Sequence, residues 1–245
     1  MKVCAVIPVY NHGEAVGAVV QAVRAHGLPC VLVDDGSEPG CAQVLDTLAQ
    51  EDRSGIQLVR LPQNEGKGGA MMAGLRAAHA SGFSHALQID ADGQHDTGDI
   101  PRFVELASES PSTLICGTPV YDESVPKGRL YGRYATHIWV WINTLSLAIR
   151  DSMCGFRVYP LEPTLALINS VSIGKRMDFD VEVLVRLHWR GMRVRNQPTR
   201  VRYPTDGISH FDVLWDNVRI SGMHARLFFG MLARLPLLLW RKVAA

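Results

Sequence analysis

The stretch LQIDADGQH (87–95) closes an apolar run with Asp90 and Asp92 one residue apart, followed by Gln94 and His95. Side chains alternate along an extended chain, so two carboxylates at a strand exit can point the same way. Paired hard oxygen ligands suit a hard divalent cation, Mg2+ or Mn2+, which keeps positions open for waters and substrate phosphates. Standing alone, the same pair reads as an acidic turn, because so short a motif recurs by accident. The rest of the chain decides between the two.

The elements that would position this pair are visible as alternating patterns. Short β-rich runs (VCAVIPV, CVLVDD, IQLVRL, HALQID, TLICG) are separated by helical stretches near 14–25, 41–51, 68–80 and 100–107. Apolar strands joined through helices predict an α/β fold with a mostly parallel sheet covered on both faces. Ligands of such sheets bind beyond the carboxyl ends of the strands. Polar residues gather there: Pro8, Tyr10 and Asn11 after the first run, Asp34 and Asp35 after the second, Asn64 and Lys67 after the third, Asp90 and Asp92 after the fourth.

Each rim segment has two readings. VDDGS (33–37) is a turn, or it offers a carboxylate to the edge of a base or to ribose hydroxyls. NEGKGGAMMAG (64–74) puts glycines and a lysine at a helix start, where free amides favour an anion, or it allows close helix packing. It has neither the spacing of a Walker loop nor that of a GxGxxG fingerprint, which disfavours a nucleotide triphosphatase or a dinucleotide dehydrogenase.

The 245 residues, 20% of them charged, are enough for one large domain. A formal net charge of +1 argues against nucleic acid as a partner and for small molecules or a surface. Five cysteines with no CxxC pair fit reduced, buried thiols of a cytosolic protein. The apolar stretch in KVCAVIPVYNHGE is too short for a signal peptide and reads as a first strand. Two later apolar segments, 135–149 and 227–240, fall short of the roughly 20 residues that span a bilayer.

IPVYN, VDDGS, NEGKGGA, DADGQH, DSMCGFRVYP (151–160) and MDFDVEVLVRLHWRG (177–191) occur in the order and spacing of family 2 glycosyltransferases. The chain most resembles the dolichyl-phosphate or polyprenyl-phosphate mannosyl- and glucosyltransferase branch, over about residues 2–211. The resemblance implies a GT-A fold, a nucleoside diphosphate sugar donor (GDP- or UDP-linked), a divalent metal and inversion at the anomeric carbon. By the same resemblance Pro8, Tyr10, Asn11 and Asp35 surround the nucleotide. Asp92 and Gln94 hold the metal against the diphosphate, and Asp90 borders the ribose or the metal. Lys67 is counted with the donor side.

On the acceptor side, KGRLYGRYATH (127–137) sets Arg129 and Arg133 four apart, on one face if helical, where guanidinium forks can grip a lipid phosphate. The alternative is a solvated basic face. Arg157 and His210 are counted with them, although Arg157 and Glu182 could instead satisfy one another. A phosphate acceptor is already ionised, whereas a hydroxyl acceptor needs a general base. Asp151, Asp178 and Asp180 are the carboxylates for that duty, with Asp151 matching the family aspartate ahead of GFR; any of them could instead be a buried, hydrogen-bonded organiser, the reading preferred for Asp178 and Asp180. Two departures stand out. Cys154 replaces the family's usual serine, and PTDGISHF (204–211) has Pro204 where an arginine is common and His210 in place of a lysine.

From Phe211 onward, HARLFFGMLARLPLLLWRK (224–242) joins an apolar face to Arg226, Arg234, Arg241 and Lys242. It reads as amphipathic helices that lie in a membrane interface, or that pack against the helix near Trp139 and Trp141. The expected organisation is a catalytic domain over 1–211 and a helical extension over 212–245. The expected protein is cytoplasmic, attached peripherally to the inner face of a membrane, and transfers a hexose to a lipid carrier, most simply a polyprenyl phosphate. The competing functions are transfer to a hydroxyl of a glycolipid or other lipid, and a non-catalytic nucleotide-sugar-binding subunit.

Overall fold

The computed structural model describes residues 1–121, 127–201 and 213–244. Among them a seven-stranded sheet runs β3-β2-β1-β4-β6-β5-β7. Its strands are β1 (Val3–Val9), β2 (Cys30–Asp34), β3 (Ile56–Arg60), β4 (His85–Gln88), β5 (Thr113–Val120), β6 (Arg157–Pro160) and β7 (Arg193–Arg200). The first four are mutually parallel and β5 runs parallel to β7, as the apolar runs predict. The exception is β6, antiparallel to both β4 and β5. That reversal sets Arg157, its first residue, opposite Gln88, the last of β4. The segment leading into β6 therefore arrives at the rim where the two aspartates emerge.

Strand alternation divides the core into two layers. Cys4, Val6, Val31 and Val33 face one side, where they meet α3 (Lys67–Ala80), α6 (Leu161–Ile168) and α7 (Phe179–Trp189). Ala5, Ile7, Val9, Cys30 and Leu32 face the other, covered by α1 (Gly13–Ala25), α2 (Pro39–Glu51) and α4 (Ile100–Glu109). In α1 the stripe Val16, Val19, Val20, Val23 has the spacing of one helix face and is buried throughout. Helix α3 lies so close to the sheet that a Cβ at Gly74 would collide with Val6 and Val33, which explains one glycine of the 64–74 segment by packing. All five cysteines are free and buried.

Helices α5 (Lys127–Thr144), α8 (Val213–Leu232) and α9 (Leu235–Ala244) lie beyond the first core layer. Met223, Leu227, Met231 and Leu238 join that layer, and Trp139 stacks on His224 at 6.1 Å between centroids and meets Phe228 edge-on at 6.2 Å. The opposite faces carry Ile138, Ile142, Trp215, Val218, Leu239, Phe229 (69% exposed) and Trp240 (65% exposed). The packing reading thus holds for one face of the C-terminal segment, and the other face is exposed and apolar. No described helix is long and apolar enough to cross a membrane.

Candidate active site

The first two strand exits are locked together by their own polar groups. Asn11 adopts a left-handed backbone (φ 57°), tolerable for asparagine. Its Oδ1 accepts the Glu38 N–H at 2.8 Å and its own N–H donates to Ser37 Oγ at 3.2 Å. Asp34 accepts from Arg60 Nε at 2.8 Å and from the Ser37 N–H at 2.9 Å, a structural use. Asp35 accepts the Glu65 N–H at 2.7 Å and the Gly66 N–H at 2.9 Å, one on each oxygen. Burial pushes its carboxyl up in pKa, while the two amides and Arg176 pull it back. Asp35 is buried and thereby fixes the loop that delivers Lys67. Pro8 and Tyr10 are half-buried on the same rim.

The third and fourth exits meet through Lys67. Its ammonium lies 2.8 Å from Asp90 Oδ1 and 2.9 Å from Oδ2, and 3.0 Å from Asp180 Oδ2 on α7. Burial disfavours the ammonium, but the Asp180 and Asp90 carboxylates outweigh it and hold Lys67 charged. Burial likewise raises Asp90, and Lys67 and His95 overcome it, leaving Asp90 well below the usual carboxylate range. His95 Nε2 sits 3.5 Å from Asp90 Oδ2 and its ring stacks on Phe156. Asp180 accepts from Gln88 Nε2 at 3.1 Å on its other oxygen, and Gln88 Oε1 accepts from Tyr159 OH at 3.0 Å. Asp180 is therefore an organiser that ties α7 to the aspartate pair.

Asp92 differs from Asp90. Oδ1 accepts the Gln94 N–H at 3.0 Å, and no cationic side chain is paired with it among the described ion pairs. Burial, then the neighbouring Asp90 charge, pushes its pKa up. A divalent cation fits this arrangement by its donor set: Asp92 is a half-buried carboxylate with no cation paired to it among the described ion pairs, and Asp92, Gln94 and Asp90 can each offer a hard oxygen. The described residues contain no ready cluster of three metal-ligating His, Cys, Asp or Glu side chains.

The segment 151–155 connects this site to α5. Asp151 takes Arg133 Nε at 2.6 Å on Oδ2 and Nη2 at 2.8 Å on Oδ1, a bidentate pair. Oδ1 also accepts the Met153 and Cys154 N–H groups at 2.9 and 2.7 Å, and His137 Nε2 stands 3.2 Å from Oδ2. Burial raises Asp151, yet His137 and Arg133 together hold it well below the usual carboxylate range. At the other end of the segment, a Cβ on Gly155 would fall 2.5 Å from Asp90 Oδ2. Five residues span at most about 14 Å between their terminal Cα atoms, so the Arg133 clamp and the aspartate pair are held at short range by one piece of chain.

The remaining candidates separate from this centre. Arg157 is 0% exposed; it donates to the carbonyl oxygens of Asp180 (2.6 Å) and Ser152 (2.7 Å) and to Tyr159 OH (3.3 Å). It supports the floor beneath the site and does not face an acceptor. Glu182 pairs with Arg186 at 2.7 Å, not with Arg157, and accepts the Gly174 N–H. Asp178 accepts the Arg176 N–H at 3.2 Å just ahead of α7. The side chain of Arg129, and His210 altogether, lie outside the described residues. Sequence reasoning gave no role to Gln88, His95 or His137. Gln88 carried a signal, since an amide inside an apolar strand must find partners. His137 carried one too, four residues after Arg133 on the same helix.

Taken together, a mostly parallel sheet with nucleotide-side loops at its strand ends and a DxD pair at the fourth exit has the architecture of a GT-A glycosyltransferase. Residues 4–169 match the model of Glycosyl transferase family 2, and the chain belongs to that family. It is 27% identical over 208 residues to an undecaprenyl-phosphate mannosyltransferase of Micrococcus luteus, covering 81% of this chain and 82% of that protein. It is also 27% identical over 209 residues to the polyprenol monophosphomannose synthase of Mycolicibacterium smegmatis, covering 79% of this chain and 74% of that one. A dolichyl-phosphate β-glucosyltransferase of Dictyostelium discoideum is 29% identical over 63% of this chain and 49% of its own length. Among solved structures, glucosyl-3-phosphoglycerate synthase from Mycobacterium tuberculosis superposes with a TM-score of 0.61 at 15% identity, over 95% of this chain and 79% of that one. Staphylococcus aureus TarS in complex with UDP-GlcNAc does so with 0.62 at 14%, over 93% and 66%. Both share the fold.

Proposed function

We propose that this protein is an inverting hexosyltransferase that moves a sugar from a GDP- or UDP-linked donor to a polyprenyl phosphate at the inner face of a membrane. The observation that carries the reading is the coupling of two sites through residues 151–155: the Asp90–Asp92 pair at one end and the Asp151-held guanidinium of Arg133 at the other. Curated relatives whose names specify polyprenyl- or dolichyl-phosphate acceptors support it.

Asp92, Gln94 and Asp90 would hold Mg2+ or Mn2+, which supplies Lewis-acid stabilisation to the departing diphosphate. Asp35 accepts from the base or ribose, and Asn11, Pro8 and Tyr10 shape that end of the pocket. Lys67 holds Asp90 ionised and fixed against α7. Arg133, with Arg129 on the same helix, receives the acceptor phosphate and aligns its oxygen with the anomeric carbon. A phosphate oxygen attacks without a general base. A hydroxyl acceptor would need one, yet Asp151 is surrounded by five donors and Asp180 is bound by Lys67 and Gln88. This favours the phosphate over the hydroxyl reading. The exposed apolar faces of α5, α8 and α9, with the exposed Lys242 near the end of α9, would supply a surface for the bilayer that carries the acceptor.

The test is Asp92→Ala. We expect loss of transfer and of Mn2+-dependent binding of the nucleotide sugar, with an unchanged circular dichroism spectrum. Turnover at the wild-type level in this variant, or in excess EDTA, overturns the metal assignment.

A further inference from the structure

We infer that His137 is a positioning residue for the acceptor, acting through Asp151 on the guanidinium of Arg133; the inference rests on the acceptor reading given above.

Arg133 offers five N–H groups in a rigid fork. Two of them, on Nε and Nη2, are taken by Asp151 at 2.6 and 2.8 Å, which leaves the remaining edge for a ligand. The direction of that edge is set by the plane of the Asp151 carboxylate. Oδ1 is anchored by the backbone N–H groups of Met153 and Cys154. Those two bonds hold one oxygen, and the plane of the carboxylate is completed by what meets Oδ2.

Apart from Arg133 itself, the group that meets Oδ2 is His137 Nε2, at 3.2 Å. A carboxylate paired with the Arg133 guanidinium only accepts, so the hydrogen in this contact is assigned to Nε2. The ring is oriented in turn by Ser152, whose Oγ lies 3.2 Å from Nδ1. His137 and Ser152 are both buried. Arg133 and His137 are four residues apart on α5 and grip the same carboxylate from one helix face. The ring of Tyr121, 5.6 Å from the guanidinium carbon, bounds the fork on another side. The series Ser152, His137, Asp151, Arg133 thus converts a flexible arginine into an oriented anion receptor, which lowers the conformational entropy lost on binding.

The test uses the full-length enzyme with a short-chain polyprenyl phosphate in detergent and with whichever of GDP-mannose, UDP-glucose or UDP-N-acetylglucosamine turns over. His137→Phe keeps the ring volume and removes the donor; we expect roughly a tenfold rise in acceptor KM, with the donor KM within about twofold of wild type. His137→Gln, whose amide nitrogen can occupy the Nε2 position, should recover most of that loss. In an Arg133→Ala background His137→Phe should add nothing further, because residues acting through one group are non-additive. Should His137→Phe fail to fold, Ser152→Ala supplies the same selective, smaller rise. The inference is overturned if donor and acceptor KM rise together, if the effect persists in full in the Arg133→Ala background, or if His137→Gln behaves as His137→Phe. If Arg133→Ala alone leaves the acceptor KM unchanged, the acceptor reading itself fails and takes this inference with it.

Discussion

Replacing Lys67 by Met removes the one cation that the described structure places between Asp90 and Asp180. The side chain of Asp180 is 7% exposed and that of Asp90 22%, so both carboxylates would face each other with little water. Breaking a buried pair by deleting one partner costs about 3–5 kcal/mol. Partial solvation of Asp90 places this case near the low end, about 3 kcal/mol, and His95 beside Asp90 offsets part of it. For a chain of this size each kcal/mol moves Tm by about 2–4 °C, which gives a drop of about 6–12 °C in Lys67→Met by calorimetry near neutral pH. Adding Asp180→Asn removes one of the two opposed charges while keeping an acceptor for Gln88, and should restore about half of the loss. A Lys67→Met protein that melts within a degree of wild type, or a double variant less stable than the single one, refutes the reasoning.

Three further outcomes follow from other contacts. Gly155→Ala forces Asp90 to move, since the new Cβ falls 2.5 Å from Oδ2; we expect a stability loss of about 1–3 kcal/mol and a larger loss of nucleotide-sugar binding by calorimetric titration, whereas unchanged binding would disconnect Gly155 from the site. Burial pushes His224 down to about 4, so the fold favours its neutral form, and stability that is full above the unfolded value near 6.5 is lost as pH falls towards 4, about 3 kcal/mol in all. His224→Leu should flatten that part of the stability-pH curve, measured by urea unfolding. Phe229→Ser with Trp240→Ser removes exposed apolar side chains without touching the core; co-sedimentation with anionic vesicles should fall several-fold at unchanged Tm, and equal recovery in the vesicle pellet would remove the membrane role from this face.

Much of this was legible in the residues because local pattern and tertiary structure agree. The apolar runs became β1 to β5 within a few residues, since strands buried on both faces need continuous apolar sequence. The antiparallel insertion of β6 was not legible, because RVYP carries no mark of direction, and the reversal alone brings Asp151–Gly155 to the rim. The roles of charged residues depended on partners far along the chain. Asp180 pairs with Lys67 and Arg157 with backbone carbonyls, and nothing in either local sequence names those partners. The C-terminal helices show the same limit. Their periodicity marks an apolar face, yet only packing shows that Met223, Leu227, Met231 and Leu238 belong to the core. Truncation after Gly222 would therefore open the core, and side-chain substitutions on the outer face give the cleaner membrane test.

The reaction proposed for this protein places a sugar on a polyprenyl phosphate. The direct measurement is mass spectrometry of the lipid product after incubating the purified protein with a polyprenyl phosphate, Mn2+ and each of GDP-mannose, UDP-glucose and UDP-N-acetylglucosamine in turn. One of these donors should yield a glycosyl phosphodiester whose mass exceeds the acceptor's by one anhydrohexose residue or its N-acetylamino form, with the sugar released by mild acid and the product absent with Asp92→Ala. A sugar attached to a lipid hydroxyl with no phosphodiester, or no product from any of the three donors while each is shown to bind, would contradict it.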